Sequence, residues 1–281
     1  MSIISICILV ASGDSNWSDW QFWVFLAVFS ALYFVFNNWY TKNRRRALAQ
    51  LAPSMNCVWS DTMPETPRGI AFLQSGLGGE FSNAMTGSRA GCDVTIFDFE
   101  YETGISARTE RTHAQTVAAF RSARSVLPAF QFGPETVMRK MSTVGSAEQF
   151  KFETPLSSVP APVGHYLLRS QEQTAANTLF DSEMLKFFND LGLPRQPWFL
   201  EGNQEWLLIW EHNNIVSPQH YRWFLQHTSA IAAMVFGCAE MKRALCPKWL
   251  EIQRNDTQAH ATWGHGLESD FKNVSVQTRR E

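Results

Sequence analysis

The chain has 281 residues, with Lys+Arg at 24 against Asp+Glu at 26 and a formal net charge of -2. That balance excludes a generic nucleic-acid binder, which needs a basic excess to neutralise phosphates. A hydrophobic share of 45% excludes a chain disordered throughout, and five cysteines over this length do not make a disulfide scaffold.

Met1 to Ala11 holds a first apolar stretch, Ile3 to Ala11, which is too short to span a bilayer. It either lies in the interface or packs against another membrane subunit. Residues 1–16 are read as an extracytoplasmic N-terminus. The next stretch, 17–41, is read as a transmembrane helix. Phe22 to Phe36 carries only Ser30 and the Tyr33 hydroxyl as polar side chains. Trp17, Trp20 and Trp23 mark one end, and Trp39 and Tyr40 the other, as amphipathic rings do at headgroup level. At ~1.5 Å per residue, Trp17 to Tyr40 extends roughly 36 Å, enough for a hydrocarbon core of ~30 Å with its interfaces. A cleaved signal peptide needs a basic leading segment, and Met1 to Asn16 has no basic residue. Phe22, Phe25, Phe29, Tyr33 and Phe36 recur at helical spacing. Lipid contact explains that stripe, and packing against a membrane complex, or against large hydrophobic cofactors held by one, explains it equally well.

Asp14 and Asp19 precede the helix, and Lys42, Arg44, Arg45 and Arg46 follow it. The positive-inside rule then places the N-terminus outside and the rest of the chain in the cytoplasm of a bacterial inner membrane. The same basic cluster suits anionic lipid headgroups. In that compartment Cys57, Cys92, Cys238 and Cys246 stay free thiols.

Residues 42–68 read as a basic juxtamembrane segment and linker, with Ala47 to Asp61 as a linker or helix. Residues 69–245 read as a cytoplasmic α+β domain, and 246–281 as a flexible tail. Within the domain, Ile70 to Leu73 is expected as a short strand. Gly76-Leu77-Gly78-Gly79 is a connector, because no Lys accompanies it as in a phosphate loop. Val94 to Tyr101 alternates as a strand, with Asp98 and Glu100 finishing its outer face in solvent. Thr112 to Arg121 is the return strand and Pro128 to Phe132 a third. Gly133-Pro134-Glu135 opens a short helix. Residues 142 to 164 read as a connecting loop, His165 to Arg169 as a strand, and Glu172 to Phe188 as helix broken and re-capped near Asp181. Trp198 to Leu200 and Trp206 to Trp210 pair around Gly202-Asn203. Ser217-Pro218 starts a last helix with the stripe Tyr221, Phe224, Leu225, Thr228, Ile231, Ala232 and Val235. Strands, a short helix, more strands and then helices make an α+β fold with a mostly antiparallel sheet.

Several of these segments carry a resemblance. Asn83 to Gly87, Val94-Thr95-Ile96-Phe97-Asp98-Phe99-Glu100-Tyr101, Gln115-Thr116-Val117-Ala118-Ala119-Phe120 and Leu127-Pro128-Ala129-Phe130-Gln131-Phe132-Gly133-Pro134-Glu135 resemble a bacterial family of single-span membrane-anchored proteins with a cytoplasmic α+β domain. Tyr166-Leu167-Leu168, the Leu185 to Phe188 helix and the Trp206 to Trp210 strand follow in the same order. The resemblance implies a membrane helix ahead of this domain. It implies no activity, since that family has none agreed.

Chemistry-bearing patterns are sparse. His220 and His227 are seven apart, which misses the i, i+4 pair of helical zinc sites, and no Cys-x-x-Cys occurs. No metal and no cofactor is implied. Asp98, Glu100 and Glu102 alternate near Arg108, Arg111 and His113, which reads as a solvated face with ion pairs, or else as an acid/base group. The Trp206 to Trp210 strand is apolar on both faces and must be covered twice, so Leu207, Ile209 and Trp223 are a candidate interaction surface. The leading expectation is a non-enzymatic membrane-anchored interaction or scaffold protein, an accessory subunit of a larger membrane complex. A membrane-tethered hydrolase using His113 with Asp98 or Glu100 is the alternative, and a lipid- or small-ligand-binding domain is a third.

Overall fold

The computed structural model describes residues 19–74, 77–89, 91–103, 111–123, 125–141, 152–161, 164–190 and 198–237. The expectations for Trp17, the first apolar stretch, Arg108, Cys238, Cys246 and the tail lie outside them. The chain divides into two units, Met1–Met55 and Asn56–Glu281.

Among its described residues the first unit is built on a 33-residue helix, α1 (Asp19–Leu51). It is long and apolar enough to cross a membrane. The helix runs through Lys42 to Arg46 and on to Leu51, ten residues beyond the expected span. Arg, Ala, Leu and Gln in that stretch all favour helix, and Pro53 lies just past its end.

The second unit is a nine-stranded sheet in the order β1-β2-β3-β4-β9-β8-β5-β7-β6. Its strands are β1 (Cys57–Ser60), β2 (Leu77–Arg89), β3 (Cys92–Thr103), β4 (Arg111–Arg121), β5 (Leu127–Pro134), β6 (Phe152–Ala161), β7 (Gly164–Ser170), β8 (Trp198–Gln204) and β9 (Trp206–Glu211). Every neighbouring pair is antiparallel. The helices are α2 (Ala71–Gln74), α3 (Glu135–Met141), α4 (Gln173–Leu179), α5 (Ser182–Asp190) and α6 (Tyr221–Val235). The α+β class with a long apolar N-terminal helix and an antiparallel sheet is therefore the observed architecture.

Period-2 alternation divides the sheet into two faces. One carries Phe97, Phe99, Val117, Ala119, Phe199, Glu201, Leu208 and Trp210, and is called the Glu201 face. Phe72 of α2 stacks there on Trp210 at 4.0 Å, and Met138 of α3 joins the same core cluster. The opposite, Asp98 face carries Ile96, Ala118, Trp198, Leu200, Leu207, Ile209 and Phe132. Phe224 of α6 stacks on Trp198, while Phe180 and Phe188, beside and within α5, stack on Phe132. A sheet with helices on both faces needs strands apolar on both sides, and β9 is buried at every position.

Five local expectations change. In place of a strand over Ile70 to Leu73, Ala71–Gln74 forms the turn of helix α2, because the Glu201 carboxylate receives its first backbone N–H groups. Cys57–Ser60 is a strand and not linker. Leu77 to Gly79 begins β2, where Gly79 lets the Phe99 ring approach; a Cβ there would stand 2.9 Å from it. The 142–164 segment contains β6, whose Pro155 and Pro160 suit a sheet edge. The β8–β9 hairpin turns at Gln204-Glu205, with Asn203 paired to Trp206. Gly202 instead makes room for the Phe130 ring, which lies 2.3 Å from where a Cβ would sit.

Candidate functional site

Across the Glu201 face runs a row of four polar residues on adjacent strands. Register places Glu201 of β8 opposite Gln131 of β5, Gln131 opposite Arg169 of β7, and Arg169 opposite Glu153 of β6. Gln131 Nε2 donates to Glu201 Oε2 at 2.9 Å, and Arg169 Nε donates to Glu153 Oε1 at 2.7 Å. Arg169 Nη1 also donates to the Met138 carbonyl of α3 at 3.3 Å. Glu201 and Arg169 are 1% and 3% exposed, so each is charged chemistry placed inside a core.

Glu201 also holds α2. Its Oε1 accepts from the Ala71 N–H, and its Oε2 from the Phe72 N–H at 3.0 Å. Burial pushes its carboxyl up to about 7, against the pull of these donors toward the ionised form. On the same face a cavity of about 10 Å³ is lined by Gln131, Met138, Arg169, Phe199 and Trp210. That volume is the size of one water. Among the described residues no hydrogen-bond acceptor meets the buried Trp210 Nε1.

Asp98 sits on the other face and is 6% exposed, so the expectation of a solvated position is corrected. Its Oδ1 accepts from Thr116 Oγ1 at 2.7 Å and Tyr221 Oη at 3.3 Å; its Oδ2 accepts from Asn83 Nδ2 at 2.9 Å. Thr116 Oγ1 in turn accepts from the Val216 N–H at 3.0 Å. These bonds tie β2, β3, β4 and the start of α6 together. The carboxylate is used structurally.

His113 pairs with Tyr101 in register and stacks on its ring at 5.2 Å, on the Glu201 face. Asp98 and Glu100 point to the opposite face. Its ring nitrogens meet Thr103 Oγ1 at 2.9 Å and Asn213 Oδ1 at 2.8 Å. The His113–carboxylate pair required for a hydrolase is therefore not assembled, and period-2 geometry is the reason. His212 lies 5.4 Å from His113 between ring centroids, and its own burial, with that neighbour, lowers it to about 4. Among the described residues no group of three or more His, Cys, Asp or Glu is placed to hold a metal ion.

Leu207 and Ile209 are fully buried under the Asp98-face helices, which corrects their reading as an interaction surface. Trp223 is half-buried, stacked between Trp198 and His227. In α1, Trp20, Trp23, Phe25, Phe29, Tyr33, Phe36, Trp39 and Tyr40 are all exposed. Lys42, Arg45 and Arg46 are exposed as well, whereas Arg44 is buried.

Among the described residues the chain thus combines a long exposed apolar helix with an α+β domain in which Asp98, Arg169 and Glu201 are held in structural bonds. No family model matches the chain, and no curated protein matches it. Among solved structures it is similar to one described as the crystal structure of the mycobacterial trehalose monomycolate transport factor A, TtfA. The identity is 15%, the TM-score 0.41, and the match covers 71% of this chain and 94% of that chain.

Proposed function

We propose that the protein is a membrane-anchored, non-enzymatic interaction module, an accessory subunit of a larger membrane complex. One observation carries the reading. α1 leaves Trp20, Trp23, Phe25, Phe29, Leu32 to Phe36, Trp39 and Tyr40 exposed, and a bilayer or a membrane partner satisfies that surface. In the sheet domain, by contrast, Asp98 and Glu201 hold structural bonds and both apolar faces are covered from within the chain. The basic side chains that follow the span favour a cytoplasmic domain, in a bacterial inner membrane, with Lys42, Arg45 and Arg46 at the anionic headgroups.

The test is size-exclusion chromatography of the chain extracted in mild detergent, with mass spectrometry of co-migrating proteins. A constant set of membrane proteins at fixed stoichiometry is expected. Replacing Phe25, Phe29 and Tyr33 together by Leu keeps an insertable span but removes the aromatic stripe, and is expected to release those proteins. A lone 32.0 kDa species from the native membrane overturns the subunit reading. Extraction by carbonate without detergent overturns the anchor.

A further inference from the structure

The segment between β1 and β2 is fastened across the Glu201 face by four separate hooks. Glu65 pairs with Arg121 Nη1 at 2.8 Å. Gly69 O accepts from Asn203 Nδ2 at 2.7 Å, and Gly69 holds a positive φ of 70° at that hook. The Ala71 and Phe72 N–H groups bond the two oxygens of Glu201. Phe72 then inserts among Phe99, Tyr101 and Trp210, with centroids at 5.3, 5.8 and 4.0 Å. Both ends of the segment are pinned in the sheet, β1 to β2 and β2 to β3. Its described residues, 61–74, make no ladder hydrogen bonds of their own. A loop with fixed ends and a side-chain-held middle is the geometry of a lid.

We infer that residues 61–74 are a lid, clasped by Glu201, that opens as a unit while the sheet stays folded. Opening withdraws Phe72 from the aromatic floor. The position of the clasp decides what drives the motion. Glu201 is the buried carboxylate that the lid itself covers. Opening hydrates it and also takes away the Ala71 and Phe72 N–H donors; burial outweighs those donors, so its ionisation favours the open form and its protonation the closed one. The groups packed around it are Gln131 on β5, Arg169 on β7 with its partner Glu153 on β6, Arg139 of α3 beside Glu153, and Leu208 on β9. From the lid itself Asp61, Glu65 and Arg68 are exposed. None of these places a cation against the carboxylate. The inference does not depend on the proposed assembly.

Amide hydrogen exchange on the full chain in detergent tests it. In the native protein, exchange at Ala71 and Phe72, normalised to intrinsic rates, is expected to rise about tenfold from about pH 6 to about pH 8 while Phe97–Phe99 and Val117–Ala119 stay protected. Glu201→Gln is expected to abolish that pH dependence. Asn203→Ala removes a different hook and is expected to raise lid exchange at every pH, leaving the pH dependence intact. Lid and sheet amides exchanging together would overturn the lid as an independent unit. A native lid whose exchange is flat with pH would overturn Glu201 as its clasp.

Discussion

At the residue scale, three positions carry more of the fold than their types announce. Glu201 and Asp98 are carboxylates that strand alternation puts indoors, one on each face. Neither was legible as a buried hub in the sequence. A carboxylate on a strand reads as a solvent residue unless its receiving donors are known, and those donors come from elements 15 to 130 residues away. Replacing Asp98 by Ala leaves Asn83, Thr116 and Tyr221 without their acceptor, and should cost about 3 kcal/mol, several single hydrogen bonds' worth. Urea unfolding followed by tryptophan fluorescence measures it, and a loss under about 0.5 kcal/mol would contradict the hub role. Gly202 is the third position. Its sequence signal was that of a turn, yet its use is close approach: the Phe130 ring occupies the space of a Cβ. Gly202→Ala should therefore destabilise by about 1–3 kcal/mol through overpacking. The same change at a turn glycine with open space would cost only backbone conformation.

At the element scale, the legible parts were those whose signal is local. Val94 to Tyr101, the return strand to Arg121, the Tyr221 stripe and the Asp181 break all appear as read. Asp181 Oδ1 accepts from the Met184 N–H at 2.9 Å, the bond of an N-cap. Asp181→Ala should lower stability by about 1 kcal/mol and loosen the first turn of α5, which exchange at Met184 would report. Elements whose identity is set by distant partners were missed. β1 is a four-residue strand that exists by pairing with Gly87 to Ala84, and α2 is one turn organised by Glu201. β6 has a sequence punctuated by prolines, which only an edge position tolerates. The hairpin turn was displaced by two residues because Gly-Asn outweighed Gln-Glu as a turn signal. Gln204 accordingly sits at φ 55°, a conformation L side chains adopt at a cost. Gln204→Gly should raise stability by about 0.5–1 kcal/mol, and a decrease in the unfolding midpoint would show that the Gln204 side chain contributes contacts that outweigh the strain.

At the scale of the whole molecule, three of the shifted groups set how stability depends on pH between about 4 and about 7.5, and their signs differ. Glu201 and Glu211 are both raised by burial from 4.5 to about 7. Each takes up a proton on folding within that window, so each makes stability fall as pH rises from about 4.5 to about 7. His212 is lowered from 6.5 to about 4, chiefly by burial. It releases a proton on folding, so it makes stability rise between about 4 and about 6.5. Over the shared range the histidine cancels one carboxyl and leaves the other. Above about pH 6.5 the histidine is neutral in both states, and the two carboxyls act together. The expected curve for the full chain in detergent therefore slopes gently down from about pH 5, steepens near neutrality and flattens beyond about pH 7.5. The double variant Glu201→Gln with Glu211→Gln removes both falling contributions. Its stability should instead rise with pH up to about 6.5, following His212 alone. The difference between the two urea titrations isolates the pair from every exposed group, since those are common to both chains. If that difference is flat between about pH 5 and about pH 7.5, the buried carboxyls do not change protonation on folding, and Glu201 cannot be the clasp that gates the lid.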